Sequence, residues 1–478
     1  MGCAGGSPHV HAASISRSLP LSEISVRVAT LCAAVRRRHA GRPTGGSSVL
    51  RSRRLRRAVV VVTAAGTLAA LAATASASTA AAQKASCAFT LRIGTVLPFT
   101  GGLAAYGGNM DKAVRLAIKL QNAALKQAGL SKKIKVVLVD SQDGQTQAAA
   151  SVEAAKKEVG EHVNVIIGEM ASGATIPMAQ SVTIPNHIVL ISPTASAPEI
   201  STLADNGYVW RAYPSDTLQG KVLAQAALQK FGKGATINVG ARNDAFGTAL
   251  EQLFIAQWKA LGGKVGVNIS WNPDQPTFDT EAGQLVSGNP AGWVIIDFPE
   301  TFVKFVPSLV RSGKWDATKT LMTEALKDGT TLDGIGQPVL GLSGTAASAA
   351  GGPAGTAFHA AWTKDVKGAQ PYTGFEGTAF DAANVAFLAA MQGCSASPAK
   401  IKSNLISVSG APGAKVTFLQ LRQAIALLRK HEDINYEGAF SPVDFDSNGD
   451  IGSAVYEIWR YDGNSKFTTL KTFTFKSK

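Results

Sequence analysis

Short apolar runs alternate with amphipathic segments along most of this chain. The first series predicts strands at 91–98, 133–140, 163–168 and 187–192, and helices at 109–125, 146–159 and 176–184. Continuous apolar strands that are separated by helices are typical of a parallel sheet covered on both faces. The pattern therefore predicts an α/β unit of ordinary domain size, roughly 120–130 residues.

The same alternation begins again after residue 216. It predicts helices at 218–231, 247–262, 279–288 and 301–313, and strands at 236–241, 264–270, 292–297 and 319–324. These segments predict a second doubly wound α/β unit with a mainly parallel sheet.

A third block departs from this alternation. Residues 342–356 are rich in Gly, Ala and Ser and are predicted to form a crossover or loop. Helices are predicted near 356–367, 376–392 and 417–429. The C-terminal stretch is predicted to form strands with turns at Asn448-Gly449 and Asp462-Gly463.

The formal charge of +14 is concentrated at the N-terminus. Residues 1–82 contain 11 Arg and one Glu, whereas the rest of the chain carries 36 Lys and Arg against 32 Asp and Glu. The remaining excess is that of a mildly basic globular protein and provides no phosphate-binding surface, so no nucleic-acid partner is expected.

The N-terminus has the layout of a secretory signal. Five Arg between 51 and 57 precede an apolar run at 58–75, and small-residue sites such as Ala75-Ser76-Ala77 follow. The alternative is a membrane anchor, for which this Ala-, Thr- and Ser-rich run is a marginal span. We therefore expect 1–82 to be an N-terminal extension and signal, and the protein to be exported to the periplasm or the outer face of the cytoplasmic membrane.

Two cysteines, Cys87 and Cys394, lie beyond this extension. In an exported protein they could form a disulfide. Alternatively, Cys87 could be a lipidated N-terminus, although Lys84 stands where a lipidation site usually has an aliphatic residue. Both alternatives are open at this point.

Motifs for catalysis or metal binding are lacking in the sequence. No two of the four histidines beyond residue 82 have metal-ligand spacing, and no nucleophile elbow, Walker loop or dinucleotide fingerprint follows a strand. The stretch 444–450 is similar to half of a calcium loop, but Val455 stands where the bidentate Glu should be. We expect no metal, no cofactor and no enzymatic activity.

Two predicted strands end in small, hydroxyl-bearing residues. Ala171-Ser172-Gly173 follows the first of them, and Thr194-Ala195-Ser196 follows the next. Ligands of open α/β sheets bind at the carboxyl ends of strands, where hydroxyl and backbone N–H groups can hold a carboxylate. Ser and Thr also serve as caps and turn residues, but two such segments at adjacent strand ends favour a small-molecule site.

From about 89 to 460 the chain resembles the branched-chain amino-acid (leucine/isoleucine/valine) binding family of ABC-transporter substrate-binding proteins. The segments that carry the resemblance are "IGTVLPFTGGLAAYG", "VVLVDSQDGQTQAAASVEAAKKEV", "VIIGEMASGATIPMA", "ISPTASAPEI", "RNDAFGTAL", "TAFDAANVAFLAA" and "FDSNGDI". The resemblance implies the type I periplasmic-binding fold, with two lobes joined by a hinge of several crossovers. It assigns 88–212 and 345–440 to the first lobe and 213–344 to the second, with 441–478 returning to the second lobe and the hinge.

The resemblance also implies first-lobe ligand contacts. Ser172 matches the hydroxyl after the third strand. Thr194, Ala195 and Ser196 match the segment that, with Ser172, holds the ligand's α-carboxylate and ammonium groups. Tyr106 matches the aromatic residue of the first strand–helix loop.

Second-lobe contacts are implied in the same way. Phe246 stands where members commonly have Tyr, and Asp297 and Phe298 fall near another wall of the site. Glu324 lies where members often place an acid or a small residue near the ammonium group. The cysteine bridge that some members have between two first-lobe loops is absent here.

The function implied by the resemblance is capture of a small carboxylate-bearing ligand, such as an amino acid, by hinge closure and its delivery to an ABC-transporter membrane permease. A monomer is expected. The alternative is an extracellular ligand-sensing module of the same fold that binds an amide, urea or an aromatic acid. An exported hydrolase would need a base beside its nucleophile, but His187 is predicted at the strand end opposite Ser172 and Ser196.

Overall fold

The computed structural model describes residues 87–348, 352–369 and 371–475, so the signal predicted within 1–82 lies outside the described residues. The first lobe begins with five strands and three helices. These are β1 (Phe89–Leu97), α1 (Ala104–Gln127), β2 (Ile134–Asp143), α2 (Ala148–Gly160), β3 (Val165–Gly168), α3 (Ser172–Met178), β4 (Val189–Ser192) and β5 (Val209–Arg211). The strands form a parallel sheet in the order β2-β1-β3-β4-β5.

The second lobe follows along the chain. Its elements are α4 (Asp216–Phe231), β6 (Thr236–Arg242), α5 (Ala245–Ala260), β7 (Lys264–Trp271), α6 (Asp279–Leu285), β8 (Trp293–Ile296), α7 (Pro299–Arg311), β9 (Thr320–Met322), α8 (Gly329–Ile335) and β10 (Ser343–Ser348). Strands β7-β6-β8-β9-β10 are parallel neighbours in that order.

The chain then returns to the first lobe and finally to the second. The elements are α9 (Pro353–Asp365), α10 (Phe375–Gln392), α11 (Pro398–Ser409), β11 (Ala414–Val416), α12 (Leu421–Leu428), β12 (Ile434–Tyr436), β13 (Ala454–Gly463) and β14 (Lys466–Phe475). Gln121 of α1 donates to the carbonyl of Ala383 at 3.1 Å, which ties α10 to the first lobe. Strand β13 pairs antiparallel with β10, and β14 pairs with β13, so these two strands extend the second sheet. The sequence-based boundaries of the lobe segments stay a prediction.

Helix α10 is enclosed by its neighbours, and its sequence explains why. Every residue from Phe375 to Met391 is buried. Six alanines and one glycine keep much of its surface small, so α1 and α11 can approach it closely. Its buried polar residues, among them Glu376, Asp381 and Asn384, have hydrogen-bond partners, so the whole helix can lie in the interior.

Two sequence predictions of secondary structure are wrong. The first half of the predicted loop 342–356 is strand β10, which lies between β9 and β13. A Cβ atom at Gly344 would lie 2.5 Å from the Trp459 ring, so the small residues that suggested a loop make room for this side chain. Helix α11 was not predicted, although its buried Ile401, Leu405 and Val408 have helical spacing.

The two parallel sheets share one strand order, and this order positions the site. In the first sheet the order changes direction between β1 and β3, and in the second between β6 and β8. Loops at the carboxyl ends on either side of such a switch point form the ligand crevice of open α/β sheets. Each lobe therefore presents one such edge, and the predicted site residues follow strands at these edges.

Candidate ligand-binding site

A small cavity lies between the loops that follow the strands of the two sheets. About 20 Å³ of it is open to the centre of a water molecule, which is room for about one water. The lining residues come from both lobes and are Leu103, Met170, Ala171, Ser172, Thr194, Ser196, Phe246, Phe298, Glu324, Ala325 and Phe375. None of these described lining residues is basic.

The lobes touch each other around this cavity. The hydroxyl of Tyr106, on α1 of the first lobe, donates to the carbonyl of Ala325 in the second lobe at 2.7 Å. Gln147, before α2, donates to Asp274 of the second lobe at 3.1 Å. The structure is therefore a closed arrangement in which both lobes line one cavity.

Hydrogen bonds fix the hydroxyl-rich side of the cavity. Ser172 Oγ accepts from the backbone N–H groups of Ser196 and Ala197, each at 3.1 Å. Thr194 Oγ1 donates to the carbonyl of Met170 at 2.9 Å. These bonds join the loop after β3 to the loop after β4, so the two segments singled out in the sequence form one surface.

Buried Glu169 holds the same two loops through hydrogen bonds. Its carboxylate accepts from the N–H of Ala171 at 2.6 Å, and its carbonyl accepts from Ser192 Oγ at 2.6 Å and Thr175 Oγ1 at 3.0 Å. Burial raises the pKa of Glu169 to about 7, because the ionised carboxylate loses its hydration.

Aromatic rings form the opposite wall. The rings of Phe246 and Phe298, in the second lobe, are stacked with centroids 5.3 Å apart. The Arg242 guanidinium covers Phe298 at 3.6 Å from the ring centre, so its charge lies against this wall. Phe375 at the start of α10 packs edge-to-face on Tyr106 at 5.1 Å.

Glu324 places a carboxylate in this cavity wall. Its side chain is buried and accepts a hydrogen bond from Gln219 Nε2 on α4. Burial raises the pKa of Glu324 from 4.5 to about 7. A positively charged ligand group beside it would favour the ionised carboxylate and offset the cost of its burial.

Six of the nine residues predicted from the sequence line the cavity, and they are Ser172, Thr194, Ser196, Phe246, Phe298 and Glu324. Tyr106 and Ala195 are not among the lining residues. The Tyr106 hydroxyl bridges the lobes, and the Ala195 N–H donates to Ser192. Ligand contact by any of the nine stays a prediction.

Asp297 is fully buried behind the aromatic wall. Its Oδ1 accepts from the N–H of Phe298 at 2.9 Å and lies 3.6 Å from Arg242 Nη1. Burial raises the pKa of Asp297 to about 7, while Arg242 acts in the opposite direction. The structure thus places Asp297 where it holds Arg242 and Phe298, rather than among the lining residues.

Five lining residues are not among the nine predicted contacts, and they are Leu103, Met170, Ala171, Ala325 and Phe375. Ala171 belongs to a strand-end segment that the sequence singles out, and Leu103, Met170 and Ala325 lie in or beside other such segments. No pattern in the sequence around Phe375 marks it as a site residue. In the structure, Gly374 turns the chain into α10 immediately before it, with φ of 101°.

Cys87 and Cys394 form a disulfide in the structure, with Cα atoms 5.2 Å apart and a sequence separation of 307. It ties the start of β1 to the end of α10. Within the described residues, no cluster of His, Cys, Asp and Glu could hold a metal ion. No helix of the described part is long and apolar enough to cross a membrane.

The chain is similar in sequence to known binding proteins. The profile of the Periplasmic binding protein family matches residues 90–458. The Leu/Ile/Val-binding protein BraC3 of Rhizobium johnstonii is 29% identical over 198 residues, 41% of this chain and 52% of that protein, so the alignment spans about half of this relative. The chemotactic signal transduction system substrate-binding protein BasB of Halobacterium salinarum is 26% identical over 362 residues, 74% of this chain and 82% of that protein.

Among solved structures, the chain is similar to the branched-chain amino acid transporter substrate binding protein LivJ of Streptococcus pneumoniae in complex with isoleucine. The TM-score is 0.61 at 18% identity, and the match covers 81% of this chain and 100% of that chain. This similarity establishes the fold as the two-lobe type I periplasmic-binding fold. Together with a profile match over more than half of its length, it shows that the chain belongs to the periplasmic binding protein family.

Proposed function

We propose that the chain is an extracytoplasmic solute-binding protein that captures a small amino acid by hinge closure and delivers it to an ABC permease. The observation that carries the proposal is the cavity itself. It combines one buried carboxylate, Glu324, with hydroxyls and backbone N–H groups on one side and aromatic rings on the other.

Each part of an amino acid has a matching surface among the lining residues, which have to move apart to admit it because the closed cavity has room for about one water. The ammonium group fits Glu324, because a buried carboxylate without a bound cation is costly. The carboxylate fits beside Ser172, whose Oγ accepts from two loop N–H groups and whose own O–H can donate to a ligand. An apolar side chain fits against the wall that the stacked rings of Phe246 and Phe298 form.

Ligand capture by hinge closure follows from the contacts between the lobes. The hydrogen bond from Tyr106 to Ala325 forms only when the lobes approach each other. A ligand that touches both Ser172 and Glu324 adds contacts of the same kind. Shifting a closure equilibrium from 1:99 to 99:1 takes about 5.5 kcal/mol of differential binding, which a few charge-assisted hydrogen bonds can provide.

A ligand screen tests the proposal. Thermal unfolding of the purified chain is measured with amino acids, their 2-oxo acid analogues, amides and aromatic acids. Saturation at 100 times Kd is expected to stabilise the protein by about 2.7 kcal/mol. Amino acids are expected to stabilise it more than the matched 2-oxo acids, which lack the ammonium group.

A matched pair of variants locates the binding. Ser172→Ala removes the acceptor of two loop N–H groups, and leaving such groups unpaired costs about 1–3 kcal/mol. A bound ligand also loses its hydrogen bond from the Ser172 hydroxyl, worth about 1 kcal/mol or more, so affinity is expected to fall at least about fivefold. Ser403→Ala, on the exposed surface of α11, is expected to leave it unchanged. A screen without any amino-acid response, or a response that Ser172→Ala leaves intact, would contradict the proposal.

A second candidate is ligand sensing without transport. The match to BasB, a chemotactic binding protein, over 74% of this chain favours it. Deleting the gene in the source organism separates the two functions. Transport predicts loss of uptake of the ligand, whereas sensing predicts that uptake stays and that only the response to the ligand is lost.

A further inference from the structure

Buried polar atoms without partners gather behind the cavity, around the start of α4. In the part of the chain that the structure describes, four such atoms are buried here without a hydrogen-bond partner. They are Asp216 Oδ1, Gln219 Oε1 and the hydroxyl oxygens of Tyr213 and Tyr456. All four residues are 0% exposed. Buried polar groups are nearly always satisfied, so four orphan atoms in one region call for an explanation.

Hydrogen bonds connect this region to two residues of the cavity wall. Ser196 Oγ donates to Asp216 Oδ2 at 3.0 Å, and Gln219 Nε2 donates to Glu324. Asp216 and Gln219 are three residues apart on α4 and therefore share one face of the helix. On this face Asp216 lies one helical turn from Gln219, the residue that donates to Glu324, and the charge of Glu324 acts on the Asp216 carboxylate.

The two carboxylates lack a neutralising ion pair. Among the described residues, no Lys or Arg forms an ion pair with Asp216 or Glu324. Burial raises the pKa of Asp216 above its ordinary value, and the charge of buried Arg211 opposes this only in part. However, Arg211 donates its hydrogen bonds to Asp450, to the carbonyl of Ala197 and to Ser201.

The remaining titratable groups that face the pair do not supply positive charge. Burial raises the pKa values of Tyr106, Tyr213 and Tyr456, which keeps all three neutral. Asp328 and Glu376 act on Tyr106 from its other sides and add negative charge. Burial, and then the charge of Glu324, raise the pKa of Asp216.

We propose that Asp216 and Glu324 share one proton when the cavity holds no ligand, and that an amine-bearing ligand expels this proton as it binds. The inference rests on the proposed function and adds a positioning residue, Asp216, which lies outside the cavity wall. Two neighbouring carboxylates in a low-dielectric site do not ionise together. The ammonium group of the ligand takes the place of the proton, which leaves to the buffer.

Asp216 thereby sets the charge of the ligand that the site accepts. A ligand with an ammonium group replaces one positive charge by another, so the buried charge is conserved. A carboxylic acid without an amine leaves the proton in place and binds without proton release. The two classes of ligand therefore differ in proton stoichiometry as well as in affinity.

Calorimetry measures this stoichiometry directly. An amino acid that responds in the screen is titrated into the protein at pH 6.5, in two buffers that differ in ionisation enthalpy. The wild type is expected to release close to one proton per ligand, and Asp216→Asn is expected to release clearly less. Glu158→Gln is the matched control, because Glu158 is another buried acid with two unpartnered oxygens, but on α2. Equal binding heats in the two buffers for the wild type would overturn the proposal.

A measurement without ligand separates this proposal from the proposed function. The unfolding midpoint of the ligand-free protein is followed from pH 5 to 8 in the wild type, in Asp216→Asn and in Glu324→Gln. In both variants the unfolding midpoint is expected to fall less between pH 5 and pH 8 than it does in the wild type. Profiles parallel to that of the wild type would overturn the shared proton. A flattened profile together with no response to any amine would contradict only the proposed function.

Discussion

Glu324→Gln is expected to stabilise the ligand-free protein at alkaline pH and to change it little in acid. Glu324 is 6% exposed, and burial raises its pKa from 4.5 to about 7. Because the folded-state pKa lies above the unfolded one, the protonated carboxyl contributes stability fully below pH 4.5. This contribution is lost as the pH rises through about 7. The difference between the two pKa values corresponds to about 3 kcal/mol at pH 8.

Urea unfolding at pH 5 and pH 8 measures this effect. Gln has nearly the shape of Glu and keeps an acceptor for Gln219, so the substitution removes the ionisation and little else. The variant is expected to exceed the wild type by about 3 kcal/mol at pH 8 and by about 1 kcal/mol or less at pH 5. Glu153→Gln, on the exposed surface of α2, serves as the control. The reasoning is refuted if the difference between Glu324→Gln and the wild type is the same at both pH values, or if the variant is less stable at pH 8.

Three further predictions concern the hinge, the ligand and the disulfide. Tyr106→Phe removes the hydrogen bond to Ala325, worth about 1 kcal/mol, so calorimetry should show about fivefold weaker ligand binding. Unchanged affinity would contradict the view that this hydrogen bond forms only when the lobes close. The affinity for an amine-bearing ligand should fall with decreasing pH below about 7, at most about tenfold per unit, because protons compete for Glu324; an affinity independent of pH between 5 and 7 would contradict this. Reducing the disulfide of Cys87 and Cys394 should lower stability by about 2–4 kcal/mol; peptide mass spectrometry that finds a lipid on Cys87 would contradict the disulfide.

The fold could be predicted from the sequence because its helices and strands have clear hydrophobic periods. Strands such as Val165–Gly168 and Val189–Ser192 are buried on both faces and read as continuous apolar runs. Strand β10 could not be recognised in the same way, because its small residues reflect contact with Trp459, a residue more than one hundred positions away. Such contacts are a property of the tertiary structure and leave no local pattern.

The site was predicted in part for the same reason. Ser172, Thr194 and Ser196 follow strands directly, so their position at the sheet edge could be inferred from the sequence. The part played by Asp216 could not be inferred from the sequence. Asp216 has the position of an ordinary first-turn acid of α4, and only the structure places it beside Ser196 and on the helix face of Gln219, which donates to Glu324.

Glu324 is proposed to select a ligand with an ammonium group, and one calorimetric comparison tests this proposal. An amino acid that responds in the screen and its 2-oxo acid analogue are titrated at pH 8 into the wild type and into Glu324→Gln. The wild type is expected to prefer the amino acid by at least about tenfold, as a lost charge-assisted hydrogen bond would imply, and the variant is expected to lose this preference. Equal binding of both compounds by the wild type, or a preference that persists in Glu324→Gln, would contradict the claim.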